Sequence, residues 1–173
     1  GNEQDHDPSF SREAEASWIA DELHRCMTSE AGADLSFGVI TFYSAQTTQI
    51  IRALAGKGIY EGGDDGYELR EDFRLITKKD GTVEERLSVG SVDAFQGKEF
   101  DVVFLSMVRS NDREKFGHLS IPNRLCVAMS RQRKLLVVVG DAGMLGGKAA
   151  HDKINPLVEF YRLCEGENDG ILR

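Results

Sequence analysis

Two uninterrupted runs of aliphatic and β-branched residues, Val102–Leu105 and Leu135–Val139, constrain this chain more than any other feature in it. A strand with one wet face alternates apolar and polar positions. A run apolar at every position therefore predicts a strand covered on both sides, the habit of parallel sheets flanked by helices. Phe37-Gly-Val-Ile-Thr-Phe42 reads as a third buried strand. Between these runs the apolar period lengthens from two to three or four. Ala14, Trp18, Ile19, Leu23, Cys26 and Met27 mark an amphipathic helix over Ser11 to Met27, with Ser9 or Ser11 as its cap and Glu13 and Glu15 at its positive end. After Tyr43-Ser44, a second helix carries Ile50, Ile51, Leu54 and Ala55 on one side, and Gly56 and Gly58 stop it. Asn123 to Arg133 alternates with helical period, and Asn155-Pro156 opens a last helix whose inner face is Leu157, Tyr161 and Cys164. Strands alternating with helices predict an α/β domain of three layers with a mostly parallel sheet.

At 173 residues the chain is long enough for one domain with its own core. Residues 1–10, polar from Asn2 to Pro8, are expected to be a flexible lead, and residues 11–173 the domain proper. Residues 57–72 are rich in Gly and Asp and read as a loop. Phe73–Thr77 and Arg86–Val89 follow as short strands around an Asp80-Gly81 turn, so 57–85 is expected to be a variable insertion. No apolar run approaches the roughly 18 residues of a membrane helix. Cys26, Cys126 and Cys164 are odd in number and lack C-x-x-C spacing, which predicts a reducing, intracellular setting, cytoplasmic or nuclear.

The net charge of −8 argues against a general nucleic-acid binder, but the charge is uneven. Residues 61–85 carry nine acidic and four basic side chains, whereas residues 86–140 carry nine basic and five acidic. Several motif-like stretches carry no chemistry. Ala142-Gly-Met-Leu-Gly-Gly-Lys-Ala149 has Ala where a phosphate-binding loop needs its first Gly and its Mg²⁺-holding hydroxyl, so it reads as a turn. His6, His24, His118 and His151 have no metal-ligand spacing, no metal site is expected, and Asp64-Asp65 reads as a solvated turn.

Within the basic segment, Ser91-Val-Asp-Ala-Phe-Gln-Gly-Lys-Glu-Phe-Asp101 leads into the first aliphatic strand, and Asn123-Arg-Leu-Cys-Val-Ala-Met-Ser-Arg-Gln-Arg133 leads into the second. Together they resemble motifs V and VI of superfamily 1 helicases, most closely the up-frameshift-like branch. Gly38-Val-Ile-Thr-Phe-Tyr-Ser-Ala-Gln46 is similar to motif IV, which places three motifs in the family's order. The resemblance implies a RecA-like domain of the P-loop NTPase type, the second of two that form a motor. ATP with Mg²⁺ would lie between this domain and an N-terminal RecA-like domain that holds the metal, and single-stranded DNA or RNA would run across both.

The same resemblance assigns roles. Arg131 would be the catalytic arginine finger, a planar permanent cation matched to the charge developing on a γ-phosphate. Tyr43 would pack on the adenine, with Gln46, Gly97, Glu99 and Arg133 also on the nucleotide side, Gly97 letting the backbone approach closely. Ser91, Val92, Gln96 and Arg109 would face the nucleic-acid strand. Departures from the family pattern are Phe42 for Pro, Cys126 for Asn, and the lack of Arg at Ser44 or Thr47, with Arg52 further along the helix. The stretch contains neither Walker A nor an Asp-Glu Mg²⁺ pair, so the isolated chain is expected to hydrolyse essentially no ATP. The alternatives are a non-catalytic nucleic-acid or protein interaction module that keeps the helicase fold, and an unrelated α/β enzyme with a small-molecule or dinucleotide ligand.

Overall fold

The structure, a computed structural model, describes residues 4–6, 9–63, 66–111 and 113–166. Along the chain run β1 (Gln4–His6), β2 (Ser9–Ser11), α1 (Glu13–Thr28), β3 (Phe37–Thr41), α2 (Ser44–Ala55), β4 (Tyr60–Gly63), β5 (Gly66–Leu69), β6 (Leu75–Thr77), β7 (Val83–Glu85), β8 (Leu87–Ser91), β9 (Phe100–Ser106), α3 (Pro122–Ala128), β10 (Gln132–Val139) and α4 (Lys148–Glu165). The central sheet has the order β10-β9-β3-β8 and every neighbouring pair in it is parallel.

All five residues of β3 and all seven of β9 are buried. Because side chains alternate across a strand, the two strands feed two cores. Phe37, Val39, Val102 and Phe104 meet Ile19 and Leu23 of α1 and Ile50 and Leu54 of α2 on one face. Ile40, Val103 and Leu105 meet Leu125 and Ala128 of α3 and Ile154, Leu157 and Val158 of α4 on the other. This is the three-layer α/β arrangement that the aliphatic runs require. Among the described residues no helix is long and apolar enough to cross a membrane.

The structure departs from expectation in four places. β10 is not covered like β9: it stands at the sheet edge, paired only with β9 among the described residues, and Leu135 is 52% exposed. The partner of β6 is Val83–Glu85, not Arg86–Val89; Leu87–Ser91 instead joins the main sheet beside β3. Arg86 makes the hand-over, its N–H donating to Arg74 and its carbonyl accepting from Phe37. Part of the stretch read as loop is a β4–β5 hairpin, while Asp64-Asp65 lies outside the described residues. The last helix begins at Lys148, but Ile154 breaks it (φ −133°, ψ 33°), so Pro156 stands near where a helix restarts. Of the lead over 1–10, the described part pairs β1 antiparallel with β2, and the rest lies outside the described residues.

Gly38, inside β3, is glycine for want of room: a Cβ there would stand 2.9 Å from both the Phe95 and the Phe100 ring. Both rings are fully buried, so neither can swing away. Gly38→Ala is expected to destabilise the chain by about 1–3 kcal/mol, the usual cost of overpacking, read as a lower midpoint in urea unfolding at unchanged slope.

Candidate functional site

Two groups of residues need placing, and they lie at opposite ends of the sheet. Ser91 ends β8 level with Thr41 and Ser106, and from there the Val92–Phe95 turn carries the chain across one face of the sheet to the end where β9 and β10 start. Val92 and Phe95 sink into the core, and the Phe95 and Phe100 rings, 5.6 Å apart, anchor the segment on both sides of Gln96–Glu99. Those four residues are exposed. Gly97 holds φ +81° with nothing near the position a Cβ would take, so it is required there for its backbone conformation rather than for close approach.

Motif VI comes alongside. Leu125 and Ala128 bury the inner face of α3, and Arg124 pairs with Asp93 at 2.7 Å. Arg131 follows the helix and lies against the exposed loop. Its Nε donates to the Val127 carbonyl (3.0 Å), its Nη2 to Ser130 Oγ (2.8 Å) and its Nη1 to the Lys98 carbonyl (3.5 Å). Among the described residues, every one of these partners is a neutral oxygen. The structure thus brings Arg131 to the exposed Gln96–Glu99 loop, at the Lys98 carbonyl.

Arg133 goes elsewhere. Its guanidinium grips Glu84 (2.7 and 3.2 Å), Asp101 (3.3 Å) and Ser36 Oγ (2.9 Å), so the residue expected beside the nucleotide is engaged in an ion network. Asp101 is only 3% exposed. Burial by itself would raise its carboxyl, but hydrogen bonds from Lys78 and the Ser36 N–H and the charge of Arg133 outweigh it and hold the group at about 2. For Glu84, burial is likewise overcome by bonds from Arg133, Ser36 and Lys78, and the group sits at about 2.

At the other end, beyond the last residues of β3 and β9, the expected residues are mostly enclosed. Tyr43 is 3% exposed, edge-on to Phe10 (centroids 5.5 Å apart) and tilted against His118 (5.3 Å), its hydroxyl accepting from the His118 N–H. In this arrangement its ring has no open face for a base. Gln46 is fully buried: its Oε1 accepts from the Arg12 N–H (2.7 Å), and its Nε2 donates to the Arg12 carbonyl and to Ser106 Oγ. Arg109 is buried too, its guanidinium 4.2 Å over the Phe10 ring and its Nε donating to the Lys115 carbonyl. Val92 contributes its side chain to the core and has only its backbone to offer a strand, whereas Ser91 remains partly exposed. The register separates the two groups: Arg131 accepts from Phe100 at the start of β9, while Tyr43 lies two residues past Thr41, which pairs with Ser106 at its end.

Glu15 belongs to this second group and was not foreseen. It is buried, accepting from Ser106 Oγ (2.7 Å), the Val108 N–H (3.0 Å) and Arg12 Nη1 (3.2 Å). Burial pushes its carboxyl up, and those three donors offset only part of that. The Val108 it holds sits at φ +66°, rare for a β-branched residue, with the Arg109 N–H closing a tight turn onto the Met107 carbonyl at 2.7 Å.

A family model for the AAA domain matches residues 1–143, which takes in β3, the exposed loop and the arginine that follows α3. The chain belongs to that family, as a RecA-like domain of the up-frameshift-like superfamily 1 helicases. It is 43% identical over 81 residues to the Schizosaccharomyces pombe "Helicase required for RNAi-mediated heterochromatin assembly 1", covering 46% of this chain and 8% of that protein. It is 35% identical over 128 residues to the Caenorhabditis elegans "Regulator of nonsense transcripts 1", covering 74% of this chain and 10% of that protein. A third relative is the Saccharomyces cerevisiae "DNA polymerase alpha-associated DNA helicase A", 49% identical over 59 residues, 34% of this chain and 9% of that protein. The chain therefore spans about a tenth or less of the length of these relatives.

In this helicase domain the Asp101–Glu84 network contributes stability that acid removes. Both carboxyls lie below their unfolded values of 3.8 and 4.5, so their stabilisation is fully present above those values and is lost as pH falls through about 2. Shifts of that size correspond to about 2–3 kcal/mol for one carboxyl, and because the two share Lys78 and Arg133 their contributions do not add. Glu15 acts with the opposite sign, relieved as pH falls toward its unfolded 4.5. Urea midpoints measured from neutral pH downward should drop steeply once pH passes below the unfolded values. Asp101→Asn should start lower at neutral pH and show a flatter acid limb.

Proposed function

We propose that this domain is the C-terminal half of an ATP-dependent motor that moves along single-stranded nucleic acid and unwinds duplexes, with Arg131 as its arginine finger. The observation that carries the reading is the state of that guanidinium. Arg124 and Arg133, its neighbours in the motif, are each paired with carboxylates, whereas Arg131 is fixed by three neutral oxygens. Its geometry is set and its charge is not cancelled. Such a cation can meet an anion brought up by a second domain without first breaking an ion pair.

ATP with Mg²⁺, the metal held by an N-terminal RecA-like domain, would supply the scissile phosphoanhydride. This chain supplies the positioned cation and the loop beside it. In this reading Glu99 and Gln96, exposed on the loop whose Lys98 carbonyl meets Arg131, accept from a ribose hydroxyl and link that site to the strand. Ser91, partly exposed at the end of β8, offers its hydroxyl and neighbouring N–H groups to phosphates, contacts that position a strand without reading its sequence. Tyr43 keeps its place in this reading on resemblance alone, since Phe10 and His118 would have to leave its ring before a base could reach it. Gln46, Arg109 and Arg133 enter as residues that hold the scaffold.

The engaged Arg133 and the enclosed Tyr43 favour one other reading, a module that keeps the fold and binds without hydrolysis. A single experiment separates the two. In the intact protein that contains this domain, Arg131→Ala should lower nucleic-acid-stimulated ATP turnover by about 10³-fold or more while ATP affinity stays within a few-fold, and Arg131→Lys should recover little of it. Undiminished turnover in Arg131→Ala would establish the binding module instead, and equal losses in affinity and turnover would remove the finger role.

A further inference from the structure

β9 and β10 are paired with one irregularity, and it falls beside Arg131. Gln132 is opposite Phe100 and Leu135 is opposite Val102, so Arg133 and Lys134 together face the single residue Asp101. Consecutive residues of a regular strand point to opposite faces. Here both reach one carboxylate oxygen, Arg133 Nε at 3.3 Å and Lys134 Nζ at 3.4 Å from Asp101 Oδ1. The extra residue of a β-bulge makes that convergence possible, and bulges re-aim the side chains around them. The second carboxylate oxygen is fully used as well. Oδ2 accepts from the Ser36 N–H (3.1 Å), from Ser36 Oγ (3.4 Å) and from Lys78 Nζ. The Asp101 N–H donates back to Ser36 Oγ at 3.1 Å, so the carboxylate is locked to the start of β3 and cannot follow the cations if they move.

We propose that Asp101 is a positioning residue for Arg131, acting by clamping the Arg133–Lys134 bulge that immediately follows it. Gln132 is flanked by two anchors: the Arg131 carbonyl accepts from the Phe100 N–H at 2.9 Å, and on the other side the Arg133 and Lys134 side chains are held by Asp101. These two points fix the direction in which the Arg131 side chain leaves the backbone. The three neutral acceptors then hold its guanidinium at the loop. Without the carboxylate, three cations that now converge on one group repel one another and the bulge relaxes. The hairpin shares in the clamp, because Lys78 of the β6–β7 turn binds both Asp101 and Glu84 of β7, and Glu84 in turn binds Arg133.

This inference rests on the reading of Arg131 as the finger, and the experiment keeps the two apart. In the intact protein, Asp101→Asn, close to isosteric, should lower nucleic-acid-stimulated ATP turnover about ten- to a hundred-fold, the loss expected of a displaced catalytic group, with the KM for ATP within a few-fold of wild type. Combined with Arg131→Ala it should cost nothing beyond Arg131→Ala alone, because the clamp acts only through that side chain. A merely structural Asp101 would give losses that multiply in the double variant, and that result, or wild-type turnover in Asp101→Asn, overturns the proposal while leaving the finger in place. Full turnover in Arg131→Ala overturns the finger and the clamp together. Should Asp101→Asn fail to melt cooperatively, Lys134→Met removes one bulge contact from an exposed position. It should lower turnover several-fold in the wild-type background and not at all beside Arg131→Ala. Unchanged turnover in Lys134→Met then refutes the clamp.

Discussion

The seven residues of β9 must be dry on both faces, and that requirement places the rest of the molecule. A strand from Phe100 to Ser106 with no wet side chain needs a neighbour on each edge and a helical layer on each face. β3 and β10 take the edges, α1 and α2 one face, and α3 and α4 the other. Chain connectivity follows from this. To enter the sheet between β3 and β10, the chain leaving β8 has to cross the face above β3. The crossing is the short segment from Val92 to Glu99, whose apolar members sink into the core and whose polar members are left at the surface. The exposed loop is thus a by-product of threading a buried strand into the middle of a parallel sheet. It lies where Arg131 emerges because β9 and β10 start side by side.

The two ends of the sheet carry charge in different ways. Where β9 and β10 begin, the carboxylates are ionised and surrounded: Asp101 and Glu84 are each met by more than one cation. Where β3 and β9 end, Glu15 is buried with one guanidinium and two neutral donors, and its burial is incompletely compensated. The first arrangement fixes strand register. The second surrounds an unfavourable backbone conformation at Val108, whose N–H donates to the Glu15 carboxylate beside the Ser106–Gln46 bond. Strained backbone in an α/β domain at the point between two strands whose connections run in opposite directions is where ligand crevices open, and here that point is filled by the chain's own Arg12 and Phe10.

How much of this was legible in the sequence depended on whether hydrophobicity or neighbourhood decided the matter. The class of fold, three of the four main strands and all four helices were readable, because period and run length report burial directly. That β10 would be the edge was not readable: Leu135–Val139 is as apolar as β9, and composition says that a strand can be covered, not that it is. The pairing of Leu87–Ser91 was missed because a five-residue strand next to a turn fits a hairpin equally well, and only the demand of Phe37 and its neighbours for a second edge partner draws it into the sheet. At the site, the motif order found Arg131 and the loop from Gln96 to Glu99, since both are defined by local chain geometry. It did not separate Arg131 from Arg133, two residues on, because the difference between them is a bulge, and a bulge is a property of two strands. Glu15 was passed over because a carboxylate in a first helical turn already has an explanation in the helix dipole.

That contrast between two arginines of one motif carries the functional argument. Pulling a guanidinium out of a network of enclosed carboxylates costs those ion pairs, which a transferring phosphate would have to offset before gaining anything. Arg133 is in that position and is committed to the fold. Arg131 is bound by carbonyls and a hydroxyl, which fix a planar donor nearly as well as a carboxylate would but leave its charge unspent, so what it gains from an approaching anion is close to the full charge-assisted bond. On the proposed reading of Arg131 as a finger, this asymmetry lets the cation engage and release an anion while the frame around it stays put. Motif IV carries Ser44 and Thr47, with no arginine at either position. The frame, from Asp101 through the bulge to the carbonyl of Arg131, therefore has a single side chain to place.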